Sequence, residues 1–309
     1  MKVLLALIFL IISSAIFSQT TEEDTSLYCV AKWNKGEEKV LHITRNKDSF
    51  ESGKTKSTFE LSFEAHISIL DSSSDGYRIQ WVFHLPEEYK KANPGIAEAM
   101  PVYEGLKMTF TTSVFGEFKD LLNWEEVKDA YVAMMYQSIP KPISDSTKTI
   151  LTKSIGMFNS KQMVESALIR EIQFYYSQFG SEFSINGITG KSFLQLPFGG
   201  EPLLALVTQQ ITDYNKVQKY FTATYKQETD MKAAGSFFET FFKEMGIPED
   251  SVKYEIEKML ETFELSDINS FQASITTGWI TNMSHKRTAS TGNMKQVESF
   301  LFELKDVKK

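Results

Sequence analysis

The chain has 309 residues, with 33 Lys and Arg against 40 Asp and Glu and a formal charge of −7. That acidic balance argues against a nucleic-acid partner, whose phosphates need a basic face, and against electrostatic docking to anionic lipid. The one cysteine, Cys29, excludes an internal disulfide, so a chain of this length must rest on a hydrophobic core.

Met1–Ser18 reads as a secretory signal peptide. Lys2 is the positive end, Val3–Ile12 the apolar middle and Ser13–Ser18 the polar end, with cleavage placed after Ser18 and Ala15 as the alternative. No later stretch offers the roughly 18–20 apolar residues that span a bilayer. The expected product is residues 19–309, one exported domain without a membrane span, periplasmic or extracellular. Lack of paired cysteines favours a bacterial envelope over a eukaryotic exterior. Cys29 lies well past the apolar run, so it reads as a small buried hydrophobe rather than a lipid-attachment site.

Gln19–Thr25 is a polar leader, and a strand is expected at Lys39–Thr44. Thr58–Leu70 alternates, with Phe59, Leu61, Phe63, Ala65, Ile67 and Ile69 on one face, the period of a half-buried strand. Asp71–Gly76 is turn chemistry. Tyr77, Ile79, Trp81, Phe83 and Leu85 line the returning strand. Matching the apolar faces sets Ile67 opposite Trp81 and Glu64 opposite His84.

A second hairpin is expected over Leu106–Thr112 and Phe118–Leu122, after a Pro-containing loop. Asn123 and Glu126 resemble a capping box, with Trp124, Val127, Ala130, Tyr131 and Met134 at helical spacing. A further helix is predicted from about Ser160 to Phe179, stopped by Gly180. Strands follow at Lys191–Leu196, Leu203–Thr212 and Val217–Lys226, then helices at Asp230–Met245 and Glu249–Phe263, broken by Gly246-Ile247-Pro248. The chain closes on strands Phe271–Thr276, Trp279–Ala289 and Gln296–Leu304.

Hairpins predominate and no βαβ alternation occurs. The fold class is α+β: a large curved antiparallel sheet built from hairpins, with amphipathic helices packed on one face. The elements fall into two halves about residue 180, without a sequence repeat.

Catalytic signatures are sparse. Gly53-Lys54-Thr55 evokes a phosphate loop, but Asp48 stands where that loop needs glycine. There is no Gly-x-Ser-x-Gly elbow and no dinucleotide fingerprint. His42, His66, His84 and Glu64 share one face of the first strands as candidate zinc ligands. A solvated polar face is the favoured reading, since cross-strand neighbours alone do not supply tetrahedral geometry. No metal or other cofactor is therefore expected. The binding candidates are Phe237, Phe238, Phe241, Phe242 and Met245, an aromatic helix stripe. Such a stripe either fills the core or lines a cavity for an acyl chain or other apolar ligand.

Several turn and cap motifs carry a resemblance. They are Lys35-Gly36-Glu37, Asp75-Gly76-Tyr77, Gly105-Leu106, the Gly116 turn, Asn123-Trp124-Glu125-Glu126-Val127 and Thr277-Gly278-Trp279. Together with Phe17-Ser18-Gln19 at the signal's end, they resemble a family of uncharacterised secreted β-rich proteins of Bacteroidetes-type bacteria. The resemblance implies export and a β-rich fold and transfers no functional residue. Curved sheets with internal helices also occur in periplasmic lipoprotein carriers, a likeness of fold alone. The expected function is that of an exported non-enzymatic envelope protein binding an apolar small molecule or an envelope protein. The alternatives are an assembly protein acting through sheet edges and an enzyme of unrecognised type.

Overall fold

The computed structural model describes residues 26–95, 104–137, 145–156, 158–194, 202–244 and 256–305. The signal segment, the Gln19–Thr25 leader, Met245, the Gly246-Ile247-Pro248 break and the first part of the Glu249–Phe263 helix lie outside them.

The described residues form one sheet of thirteen strands. In chain order the strands are β1 (Ser26–Tyr28), β2 (Glu38–Glu51), β3 (Lys54–Ser73), β4 (Gly76–His84), β5 (Lys107–Thr112) and β6 (Phe118–Leu121). The second half adds β7 (Glu182–Ser184), β8 (Ile188–Leu194), β9 (Leu203–Asn215), β10 (Tyr220–Thr229), β11 (Glu264–Ser274), β12 (Ile280–Thr291) and β13 (Met294–Lys305). Helices α1 (Glu87–Ala92), α2 (Trp124–Gln137), α3 (Asp145–Gly156), α4 (Lys161–Leu168), α5 (Arg170–Tyr176) and α6 (Met231–Glu244) complete the fold. Across the sheet the order is β1-β7-β9-β10-β11-β12-β13-β2-β3-β4-β5-β6, with β8 paired to β9. Every described pairing is antiparallel except β7 with β9. The α+β architecture expected from the hairpin pattern is the one observed.

The first hairpin keeps the expected register, Ile67 opposite Trp81 and Glu64 opposite His84. The strand before it is longer than its apolar pattern suggested. It runs to Glu51 and turns back through Ser52 (φ 51°) and Gly53 (φ 75°). Two consecutive left-handed residues are the two-residue turn that matches strand twist. Gly53-Lys54-Thr55 is thus a hairpin tip, not a phosphate cradle.

Other expectations need correction. The helix expected over Ser160–Phe179 is two helices, because the backbone leaves helical geometry at Ile169 (φ −124°, ψ 32°). The Asn123 side chain is not a simple cap. Its Oδ1 accepts from the Thr109 N–H at 2.9 Å and its Nδ2 donates to Lys107 O at 2.8 Å, tying the start of α2 to β5. Helices α1 and α3 were not evident in the sequence. Strand β11 begins at Glu264, seven residues before its apolar pattern starts, because its early inward positions, Asp267 and Asn269, are polar.

Local contacts show how far the sheet curls. Cys29 N–H donates to Ser181 O just before β7, and Ala31 N–H donates to Phe115 O just before β6. Laid flat, the twelve strands from β1 to β6 would span about 50 Å. Two residues of chain reach at most about 7 Å. The sheet is therefore rolled until its margins meet at one end, where residues 29–34 cross between them. Trp33 in this crossing packs on Tyr77, Tyr176, Phe179 and Trp279.

The main core fills the roll. Leu41, Ile43, Phe63, Ala65, Ile67, Ile79, Trp81, Phe110, Phe271, Met283, Phe300 and Phe302 face Val164, Ile172, Tyr175 and Tyr176 from α4 and α5. Two smaller clusters stand apart. One holds Leu194, Leu203, Ala205 and Leu265 with Phe237, and the other holds Ala234, Phe238 and Ile256. Both are built against α6.

Candidate functional site

The sequence-selected histidines do meet on the outer face. His42, Glu64 and His84 lie in one row across β2, β3 and β4. The His66 and His84 rings are 4.4 Å apart. The carboxylates, however, are engaged in ways that break up a ligand set. Glu64 lies 3.7 Å from His66. Glu104 accepts the Leu85 N–H at 2.9 Å and pairs with His84 Nδ1 at 2.8 Å. Burial opposes ionisation of Glu104, yet the Leu85 N–H, His84 and Lys90 hold its pKa below the usual carboxylate value. Among the described residues no group of three or more His, Cys, Asp or Glu is disposed to hold a metal.

Of the aromatic stripe, Phe237 packs toward Leu203, Ala205 and Leu265, and Phe238 sits with Ala234, Ile256 and Phe263. Phe238 is buried, and its ring meets Phe237 and Phe263 edge-on at 5.4 and 5.2 Å. The described part of the stripe is packed. Phe241 and Phe242 belong to α6, but their side chains are not described, and Met245 lies outside the described residues. The sequence reading could not have separated α6 from the main core, since periodicity reports a buried face but not what it is buried against.

What separates them is a polar band that the sequence reading missed. Strand registers place two polar rows side by side on the inner face. The first is Gln227, Asp267, Arg287, Glu298 and Lys47, across β10, β11, β12, β13 and β2. The second is Tyr225, Asn269, His285, Phe300 and Arg45 on the same strands. On one side lies the main core row of Phe271, Met283, Phe302 and Ile43; on the other lie Leu265 and Ala289 beneath α6. One signal was available: Glu298 is in phase with Phe300 and Phe302, so it shares their inward face.

The band is held by charge. Arg45 donates to Glu298 Oε1 from Nε at 3.0 Å and from its terminal nitrogen at 2.6 Å. Arg170, the first residue of α5, donates to Glu298 Oε2 at 2.6 Å. Arg287 and Asp267 form a two-pronged pair at 2.7 and 2.5 Å. His285 is stacked on Phe174 of α5, with ring centroids 3.8 Å apart. Its Nδ1 meets Asn269 Oδ1 at 2.6 Å, and its buried Nε2 has no hydrogen-bond partner among the described residues.

The environment sorts these groups by protonation. Burial would raise the Glu298 pKa, but Arg170 and Arg45 pull it below the ordinary carboxylate value. Burial pushes His285 down to about 4, with Asp267 opposing and Arg287 and Arg170 assisting, so the ring is neutral at pH 7. Burial also raises the Glu171 pKa, against the pull of Arg45 and Arg170. Cys29 is buried beside a small pocket lined by Leu27, Phe221, Ala273 and Ile275, and burial pushes its thiol pKa up. A thiol held protonated is a poor nucleophile, which fits the buried-hydrophobe reading.

The arrangement can bind charge and apolar surface side by side. Comparison with known protein families and with curated proteins finds no match for the chain. No helix among the described residues is long and apolar enough to cross a membrane.

Proposed function

We propose that this is an exported, non-enzymatic envelope protein that binds an apolar ligand on the inner face of its curled sheet, beneath α6. One observation carries the reading: the apolar clusters under α6 are separate from the main core, with a polar band between them. A helix held on such a satellite cluster opens at a lower free energy than the whole fold. Opening it exposes Leu203, Ala205, Leu265, Phe237 and Phe238 on a concave surface. Ligand sites of this type are mostly apolar with a few convergent polar groups.

The test is native mass spectrometry of the purified protein, followed by organic extraction. A bound apolar species is expected. A ligand-free protein whose α6 amides exchange as slowly as those of α5 would defeat the proposal.

A second reading, assembly through a sheet edge, is favoured by β8. This strand pairs with β9, and Phe193 on it is 64% exposed, near Leu206 at 52%. Open edges are templates for strand addition. Crosslinking in intact cells would trap a partner at β8 if this reading holds, and a purely monomeric product counts against it.

A further inference from the structure

The polar band carries more cation than its acids balance. Arg45, Lys47, Arg170 and Arg287 stand against Glu298, Asp267 and Glu171, four cations against three carboxylates. Two guanidinium groups share the one Glu298 carboxylate. Lys47 makes no ion pair among the described residues. Uncompensated cations in a partly dry site favour an anionic partner.

The surplus is also reachable. The Arg45 and Arg170 side chains keep 28% and 25% of their surface, whereas Glu298 keeps 6%. Beyond Lys47 in the same row stands Phe59, 45% exposed on the inner face. The inner face therefore opens at the Arg45–Lys47 end of the band. The row flanking the band on its other side, Leu265 and Ala289, is the floor of the α6 cluster. Residues on one face of a strand repeat about every 7 Å and neighbouring strands lie about 4.8 Å apart, so Lys47 on β2 stands roughly 12 Å from Ala289 and roughly 16 Å from Leu265, about the length of a twelve-carbon chain.

We propose that the ligand is a single-chain amphiphile with an anionic head, its carboxylate or phosphate held by Arg45, Lys47 and Arg170 and its chain laid along Leu265, Ala289 and α6. This rests on the apolar-ligand reading above and adds the head group to it. Arginine supplies paired donors for such an oxyanion, and Lys47 adds a point charge. No covalent step is involved.

Calorimetric titration of the purified protein with dodecanoate, dodecyl phosphate, dodecanol and inorganic phosphate separates the two claims. Both anionic amphiphiles should bind about tenfold or more tighter than dodecanol, the worth of one charge-assisted contact. Inorganic phosphate should bind far more weakly than dodecyl phosphate. Lys47→Ala, at a half-buried position outside the ion pairs, should weaken both anions about tenfold and leave dodecanol unchanged. Its melting temperature and that of Arg45→Gln report whether either variant is merely misfolded. Equal affinity for dodecanol and dodecanoate overturns the head-group assignment and leaves the apolar-ligand reading standing. Absence of binding by all three chain-bearing probes overturns that reading too. Phosphate binding as tightly as dodecyl phosphate would reduce the site to a plain anion site and overturn the amphiphile.

Discussion

Arg170 reaches from the first turn of α5 to Glu298 on β13, with its terminal nitrogen 2.6 Å from Oε2. A cation at a helix N-terminus opposes the helix dipole, so the pairing offsets an electrostatic cost of its own placement. Glu298 also holds Arg45 from β2. One buried carboxylate thus joins a helix to two neighbouring strands.

Replacing Glu298 by Gln should leave two guanidinium groups short of a counter-charge. Breaking a buried pair from one side costs about 3–5 kcal/mol, readable as a lower urea midpoint. Adding Arg170→Met to Glu298→Gln should recover part of the loss, because it removes one stranded charge. Purely additive losses would mean that the two residues act independently.

His285 should make stability depend on pH at the acid end. Its folded pKa is lowered to about 4 from an ordinary 6.5. Between these values the unfolded chain binds the proton and the folded chain does not. Stability is therefore full above pH 6.5 and falls as pH drops toward 4, by about 3 kcal/mol in all. Asp267, Arg287, Glu298 and Arg170 surround the ring, and Glu298 adds its own loss below the ordinary carboxylate value of about 4.3. Thermal melts across this range should show that slope flattened in His285→Gln. An unchanged slope would place the titration elsewhere.

The elements readable in the sequence were those whose two faces differ. Phe63, Ala65 and Ile67 alternate with Glu64, His66 and Ser68, so both strand and register followed from period two. The polar band was hidden by the same rule. Asp267, Arg287 and Glu298 look like solvated positions; the Asp267–Arg287 pair across neighbouring strands, and Arg45 and Arg170 on Glu298 from distant segments, make their burial tolerable. The curl was hidden as well. It depends on residues 29–34 lying between two margins of the sheet, contacts that no local pattern encodes. In the aromatic stripe, helix periodicity was correct for α6, but β8, β9 and β11 received Phe237 while Ile256 and Phe263 received Phe238.

The closure of the roll can be tested at Gly278. It has φ +69°, and a Cβ there would collide with Val30 O and the Lys32 nitrogen in the crossing segment. Gly292 has φ +59° with open space around it. Gly292→Ala should cost only the left-handed strain, about 1–2 kcal/mol. Gly278→Ala should cost clearly more, since the segment that closes the sheet must move. Equal losses in denaturant midpoint would mean that residues 29–34 yield without consequence.

Phe238→Ala should loosen α6 without loosening the core. Phe238 contributes to the small cluster with Ala234 and Ile256. Trp33, Trp81 and Trp279 are buried in the main core, and Trp124 packs against it. Removing a buried phenyl ring costs about 3–5 kcal/mol, but here the loss falls on a unit that opens by itself. Hydrogen exchange in α6 should quicken while tryptophan emission and the α5 amides stay as in the parent protein. The polar band explains the division: its ion pairs bind α5 to β2 and β13, and none of the described pairs reaches α6. If tryptophan emission and α6 exchange change together in a single transition, α6 is part of the main cooperative unit and cannot act as a lid over a ligand.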